Sequence, residues 1–185
     1  GYRYKLYIDV KDEHLKRMLW LIAPVLIGVA VNQINTIVDR TIASTLVEGS
    51  ISALNYATKL NQFVMGMFIV SISSVVYPML SKLSSENNKE QFNKSIITSV
   101  NTVTLLVIPI SIGAIILANP IVKLLFQRGE FDARATQMTA VALIFYSIGM
   151  IGYGLRDILG KVFYSLQDTR TPMINGVIAM VLNIT

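Results

Sequence analysis

Polar and charged side chains recur at helical spacing inside two long apolar stretches of this sequence. In the first stretch Asn32, Asn35, Thr36 and Asp39 stand at i, i+3, i+4 and i+7, followed directly by Arg40. This spacing places the first four on one face of a helix. Such side chains suit the binding of a polar or charged solute, or pairing with one another. None of them is a nucleophile with an adjacent base, so they do not suggest covalent catalysis.

A second stripe follows after the short turn at residues 48–50. Asn55, Lys59 and Gln62 stand at i, i+4 and i+7, and Tyr56 lies beside them. Apolar residues fill most of the surrounding sequence. In a soluble protein this face would be solvated surface, but in a membrane a charge that faces lipid is costly, so the stripe must look onto water or onto other protein.

Two roles are open for the charges inside these stretches. Lys59 either contacts a transported substrate or neutralises Asp39 as a structural partner, and Asp39 and Arg40 are open between the same two roles. Arg156 and Asp157, late in a later apolar stretch, are more simply explained by internal ion pairing, with long side chains reaching toward the membrane surface.

The elements that position these residues are predicted to be membrane-spanning helices. The chain has 185 residues, of which 53% are hydrophobic and 15% charged, with a mean hydropathy of +0.57, whereas soluble domains have about 25% charged residues. Crossing a bilayer takes about 20 apolar residues. Segments around that length lie at 19–47, 51–80, 96–126, 136–164 and from about 171 onward. The sequence therefore predicts an all-α, polytopic membrane bundle of about five helices rather than a soluble five-helix bundle.

Prolines and polar residues predict the ends of these helices. Pro78 is expected to end the second span, with an exposed polar loop over 81–94, and the Asn119-Pro120 pair to break the third. Asp132 is a good N-cap for the fourth helix. Pro172 suits the first position of the fifth helix.

Residues 1–18 form a mixed-charge segment with interleaved tyrosines. A cytoplasmic linker that becomes an interfacial helix, anchored at anionic lipid headgroups, explains this segment more simply than nucleic-acid binding. Lysine and arginine outside the spans are concentrated on the side of this segment and of the loop 81–94, so that side is predicted to be cytoplasmic and the turn at 128–132 extracytoplasmic.

Residues for bond chemistry are scarce in the sequence. The chain has no cysteine and a single histidine, His14, and it lacks the phosphate-binding loop G-x-x-x-x-G-K-[ST], H-E-x-x-H and G-x-S-x-G. We therefore expect neither an enzyme nor a cofactor. The alternative, a membrane transferase acting through scattered polar residues, lacks a visible acid/base pair. Since the chain opens on Gly1 and stops inside an apolar run, we expect it to be an excerpt of a longer protein.

Several runs of the sequence resemble the MurJ/MviN family of lipid II flippases. They are P-x-x-I-G-V-A-V-N-Q-I-N, G-S-I-S-A-L-N-Y-A-T-K-L-N-Q-F-V-M-G, V-V-Y-P-M-L-S-K, N-P-I-V-K-L-L-F-Q-R-G-E-F-D-A-R-A-T-Q-M-T-A-V-A-L and V-F-Y-S-L-Q-D-T-R-T-P. Together they cover about residues 17–175, and the longer runs are specific.

The resemblance implies a transporter of the multidrug/oligosaccharidyl-lipid/polysaccharide exporter superfamily, with fourteen helices in two lobes and an extra pair, working by alternating access. Residues 19–185 would then be a partial second lobe (helices seven to eleven), and the missing first lobe and membrane lipids would be its partners. The implied substrate is lipid II, the undecaprenyl-diphosphate-linked peptidoglycan precursor, and the implied location is the bacterial inner membrane.

Lys59 occupies the family's Y-A-x-[RK]-L position, for which the resemblance implies a cation that faces the central cavity. Lysine here replaces the common arginine, which loses bidentate phosphate geometry and keeps the charge. The substrate-binding residues expected beside it are Asn55, Tyr56, Gln62, Asn35, Asp39 and Arg40.

Three matters stay open at this point. The coupling ion, or a role of the membrane potential, is not determined by the sequence. Another flippase or exporter of the same superfamily is the alternative function, although a cationic-drug antiporter is disfavoured because the clearest deep charge is Lys59. A membrane scaffold would not need polar stripes on successive helices.

Overall fold

Six helices make up the computed structural model, which describes residues 13–184. They are α1 (Glu13–Ser44), α2 (Ser50–Ser85), α3 (Lys89–Ile116), α4 (Ala118–Phe126), α5 (Ala133–Ser165) and α6 (Arg170–Ile184). No strand occurs in this part of the chain. The all-α prediction is confirmed. Most of the segment 1–18, including its tyrosines, lies outside the described residues.

Four of the helices are long and apolar enough to cross a membrane: α1 from Met18 onward, α2, α3 and α5. The fifth predicted span corresponds to α6, of which the described chain contains 15 residues. The described residues fall into two compact units, one that includes residues 13–36 and 167–184 and one of residues 37–166, so that the boundary lies within α1.

Helix α5 is the centre of the unit 37–166, because α2, α3 and α4 all pack against it. Small and branched side chains fill these contacts, as expected where helices approach closely in a membrane. One buried cluster joins α2, α4 and α5, and a second joins α2, α3 and α5. The first consists of Ala57, Ala118, Val122, Ala140 and Leu143, and the second of Ile69, Val103, Val107, Met150 and Ile158.

Gly154 of α5 lies where three helices approach closely. A Cβ atom at this position would lie 2.9 Å from Ile69 Cδ1 of α2 and 2.9 Å from Val103 Cγ1 of α3. The absence of a side chain at Gly154 therefore lets α2 and α3 reach α5 at the same level.

Helix α2 contains a π-helical segment at Met65–Val70. Ile69 stands eight residues after the buried Asn61 and would be turned about 80° away from it in a regular helix of 3.6 residues per turn. The wider π turn takes up an additional residue. As a result Ile69 stays on the buried side of α2, 2% exposed.

The prediction that Pro78 ends the second span was wrong. The helix runs through Pro78 to Ser85, because proline removes a single backbone N–H and a helix packed against its neighbours tolerates that loss. The predicted loop over 81–94 is correspondingly short, since α3 already begins at Lys89 with Asn88 as its N-cap. The Asn88 side chain accepts a hydrogen bond from the backbone N–H of Gln91 at 3.2 Å.

The third predicted span does break, but the break falls at Leu117, before the Asn119-Pro120 pair. Pro120 lies in the first turn of α4, where a missing N–H costs nothing. Asp132 caps α5 as predicted, because its carboxylate accepts a hydrogen bond from the Ala135 N–H at 2.8 Å.

Helix α6 begins at Arg170, so Pro172 is its third residue rather than its first. The Asp168 carboxylate accepts hydrogen bonds from the Thr171 hydroxyl at 2.6 Å and from the N–H groups of Arg170 and Thr171 at 3.0 Å. The bond from the Thr171 hydroxyl is the main reason that the pKa of Asp168 lies below its ordinary value. In the same unit the Arg170 guanidinium stacks 4.0 Å from the centre of the Trp20 ring.

Candidate functional site

The polar stripe of α2 lies on the face of the helix that is exposed in this chain. Asn55, Lys59 and Gln62 are all exposed, as their spacing predicts. The opposite face of the same turns carries Ala53 and Ala57, which are buried against the rest of the unit. Packing of the small residues against α5 therefore determines where the Lys59 side chain points.

Tyr56 lies on the flank between these two faces and belongs to a group of three aromatic rings. Its ring centre is 4.8 Å from that of Phe126 and 5.1 Å from that of Phe131, which meets it edge to face. The Lys59 ammonium lies 5.7 Å from the centre of the Tyr56 ring, within reach of a cation–π attraction. Tyr56 thus connects the stripe to α4 and to the turn before α5.

An open cavity of about 780 Å³ adjoins these rings. It lies between the α1–α2 turn, the start of α2, the α4–α5 turn and the start of α5. Its lining combines the aromatic rings with charged side chains and with Thr139. The charged members are Glu48, Arg128, Glu130, Asp132 and Arg134.

The predicted residues of α1 have different surroundings. Asn35 accepts a hydrogen bond from the Asn183 side-chain amide of α6 at 2.8 Å. Asp39 and Arg40 lie next to each other on the exposed surface of α1. The two roles of Lys59, substrate contact or neutralisation of Asp39, both stay predictions, as do the roles of Asn35, Asp39 and Arg40.

The contacts of Asp157 agree with the interpretation that it forms internal pairs. Its carboxylate accepts a hydrogen bond from the buried Ser73 hydroxyl of α2, and one of its oxygens lies 4.0 Å from the Lys161 ammonium. This cluster joins α2 to α5, which is a structural function.

Three buried polar groups escaped the sequence reasoning. The Asn61 side-chain oxygen and the hydroxyls of Ser111 and Thr139 are buried with no hydrogen-bond partner among the described residues. Asn61 follows Ala53 and Ala57 at i+8 and i+4, so a polar residue continuing a small-residue stripe was the available signal. Buried polar groups in proteins are normally paired, which makes these three notable.

Comparison with known proteins turns the resemblance into an assignment. The sequence profile of the family described as lipid II flippase MurJ matches residues 1–185. The chain belongs to the MurJ family.

Relatives and a solved structure agree with this membership. The chain is 38% identical to the probable lipid II flippase MurJ of Vibrio cholerae over 174 residues, which is 94% of this chain and 33% of that protein. It is 36% identical to the Haemophilus influenzae protein of the same name, over 94% of this chain and 35% of that protein. A lipid II flippase MurJ structure in an inward closed conformation matches with a TM-score of 0.79 and 34% identity.

That structural match covers 98% of this chain and 38% of the solved chain. The chain thus spans about a third of the length of the MurJ relatives it matches. Together with the apolar helices, the MurJ relatives identify it as part of a multi-pass bacterial membrane protein.

Proposed function

We propose that this chain is part of a transporter that moves lipid II from the cytoplasmic to the outer leaflet of the bacterial inner membrane. Residues 19–185 would form a partial second lobe, and the polar stripe of α2 would face the central cavity between the lobes. The observation that carries the proposal is the exposed Lys59, with Asn55 and Gln62, within a helix apolar enough to span a membrane.

Lys59 is suited to hold the diphosphate of such a substrate. A cation in a site of low dielectric attracts an anion more strongly than it would in water, and hydrogen bonds from an ammonium to phosphate are among the strong ones. The amide side chains of Asn55 and Gln62 offer both donors and acceptors to sugars. The proposal thus assigns Lys59 the charge and its neighbours the uncharged polar groups.

Translocation of this kind requires no bond to be made or broken. An inside-negative membrane potential favours outward movement of an anionic headgroup by about 2.3 kcal/mol per charge per 100 mV. The polyprenyl tail can stay in the lipid while the hydrophilic head passes through an aqueous path between the lobes.

Replacing Lys59 in the full-length protein tests the proposal. We expect Lys59→Ala to abolish complementation of a flippase-depleted cell while the protein level is unchanged, because the site loses its charge. Lys59→Arg should retain function, since arginine supplies the same charge and at least as many donors. Lys82→Ala is the matched control, because Lys82 is an exposed lysine of the same helix whose ammonium lies 3.9 Å from Glu86.

The structural role of Lys59 gives the opposite result. If Lys59 neutralises Asp39, Lys59→Ala strands a carboxylate and lowers the protein level, and the double variant Asp39→Asn/Lys59→Ala restores it. Full complementation by a well-expressed Lys59→Ala, or rescue by the double variant, would refute a substrate contact.

The proposed orientation has its own test. Cysteines introduced at Ser85, at the end of α2, and at Glu130, in the α4–α5 turn, should react oppositely with an impermeant thiol reagent in intact cells. We expect labelling of the Glu130 position from outside and protection of the Ser85 position. The reverse pattern would overturn both the orientation and the lobe assignment.

A further inference from the structure

The cavity between the two turns, here called the rim cavity, contains a polar group for which the packing of the helices provides no partner. Thr139 is 0% exposed and lines the cavity, and its hydroxyl has no hydrogen-bond partner among the described residues. Thr136, one turn earlier, is also buried, but its hydroxyl donates to the Asp132 carbonyl at 2.9 Å. The unsatisfied hydroxyl beside the rim cavity is a cost to the empty protein that a hydrogen bond to a ligand would remove.

Charges of both signs surround the entrance. Arg128 and Arg134 offer guanidinium groups, and Glu48 and Glu130 offer carboxylates. Within the described part of the chain none of these four side chains forms an ion pair. Guanidinium groups bind carboxylates with two parallel hydrogen bonds, and carboxylates accept from ammonium groups, so the entrance suits a ligand that carries both charges.

The start of α2 adds a second place for an anion. Its N-cap is Gly49, in the left-handed region with φ 93°, and no side chain caps the helix. Asp132, by contrast, caps α5 at the other wall of the cavity. The uncapped N–H groups of α2 therefore favour a ligand carboxylate on that side.

The rim cavity lies next to the proposed substrate site along α2. Ser52 and Tyr56 line it. Together with Lys59 they stand at i, i+4 and i+7, so the three side chains lie along one side of α2. Ser52 and Lys59 are seven residues apart, which is about 10 Å along a helix. One extended ligand can therefore occupy both places.

We propose that the rim cavity binds the peptide of the lipid-linked substrate, with the arginines on a peptide carboxylate, the glutamates on an ammonium group and the Thr139 hydroxyl on a peptide amide. The volume of about 780 Å³ lies in the range of small-molecule sites, about 300–1,000 Å³. The inference rests on the proposed function for the identity of the substrate, but the recognition of a doubly charged peptide follows from the cavity itself.

The test uses the purified full-length protein in lipid nanodiscs and, as probe, a lysine-containing tripeptide with free termini, with binding measured by calorimetry. We expect saturable binding that the same tripeptide amidated at its C-terminus shows more weakly. Arg128→Gln combined with Arg134→Gln should weaken binding about tenfold or more, because a charged hydrogen-bonding group is lost.

Thr139→Val is the decisive variant, because valine has the shape of threonine and removes only the hydroxyl. We expect binding of the tripeptide to weaken about fivefold, the effect of one hydrogen bond, while the Tm of the empty protein stays equal or rises. Thr136→Val is the matched control and should leave binding unchanged. Equal binding by Thr139→Val and the unaltered protein, equal weakening by both variants, or no saturable binding would overturn the proposal.

Lys59→Ala separates this inference from the proposed function. It should keep tripeptide binding within about twofold, because the tripeptide has no diphosphate for Lys59 to hold. Loss of tripeptide binding in Lys59→Ala would merge the two sites and overturn the inference. Normal lipid II transport by the same variant would refute the proposed function and leave the tripeptide result standing.

Discussion

The exposed faces of α2 and α3 differ although both helices belong to the same unit and pack on α5. Helix α3 has no charged residue after Lys94, and its exposed positions there are mainly apolar, with Leu105 75% and Ile116 71% exposed. Helix α2 instead exposes Asn55, Lys59 and Gln62. An apolar face suits contact with lipid, whereas a charged one is costly there, so we infer that α3 borders lipid and α2 borders water or protein.

This difference teaches that a residue exposed in one part of a membrane protein can face either lipid, or water and other protein. Phe63, Met67 and Val70 are exposed on α2 as well, so the presence of apolar residues does not separate the faces. The position of charge does, because an apolar residue is tolerated at a protein interface while a charge in lipid is not.

A new lysine placed on each of the two faces should give the largest difference in stability between them. Leu105→Lys, near the middle of α3, should destabilise the full-length protein by about 2.5–3.5 kcal/mol, the cost of a charge at the centre of a membrane helix. Gln62→Lys places the same charge on the polar stripe of α2 and should be tolerated. The Tm and the membrane level of both variants measure this, and equal loss in both would show that α2 also faces lipid.

The level at which α2 and α3 both meet α5 gives an intermediate effect. Gly154→Ala should cost about 1–3 kcal/mol, because overpacking forces the helices apart, and the new methyl would lie 2.9 Å from both Ile69 and Val103 side chains. Gly152→Ala is the control, since a Cβ at that position meets nothing within 4 Å and alanine favours the helix. Thermal unfolding of the detergent-purified protein compares them, and a stable Gly154→Ala variant would argue against this close packing.

The smallest effect concerns Ser73 on the buried face of α2, whose hydroxyl is paired with a carboxylate of α5. Ser73→Ala removes the hydroxyl that donates to Asp157 and should cost about 1 kcal/mol, the net value of a hydrogen bond. Ser74→Ala is the matched control, because the Ser74 hydroxyl is exposed and donates a hydrogen bond to the Ser71 carbonyl of its own helix at 2.7 Å. A lower Tm for Ser73→Ala than for Ser74→Ala is the expected result, and the opposite order would contradict a structural role of the Ser73–Asp157 contact.

The sequence alone predicted the membrane environment, the presence of the long apolar helices and the polar stripe of α2. Long apolar segments with few charges predict membrane helices because each backbone polar group must be satisfied within its own segment in lipid. The spacing of Asn55, Lys59 and Gln62 placed them on one face because side chains three and four residues apart are neighbours on any α-helix. The Asp132 cap was predictable for the same reason, since its partner lies three residues away.

Contacts between distant residues required the tertiary structure. The helix continues past Pro78 and widens at Met65–Val70, because packing against α5 outweighs local preference, and local preference is all that a single sequence displays. The sequence predicts Tyr56 to lie beside the polar stripe. In the structure its ring packs against Phe126 and Phe131, which lie about 70 positions later in the chain. The rim cavity and the unpartnered Thr139 hydroxyl likewise exist only because two turns far apart in the chain meet beside α2, and helical periodicity carries no information about which helices become neighbours.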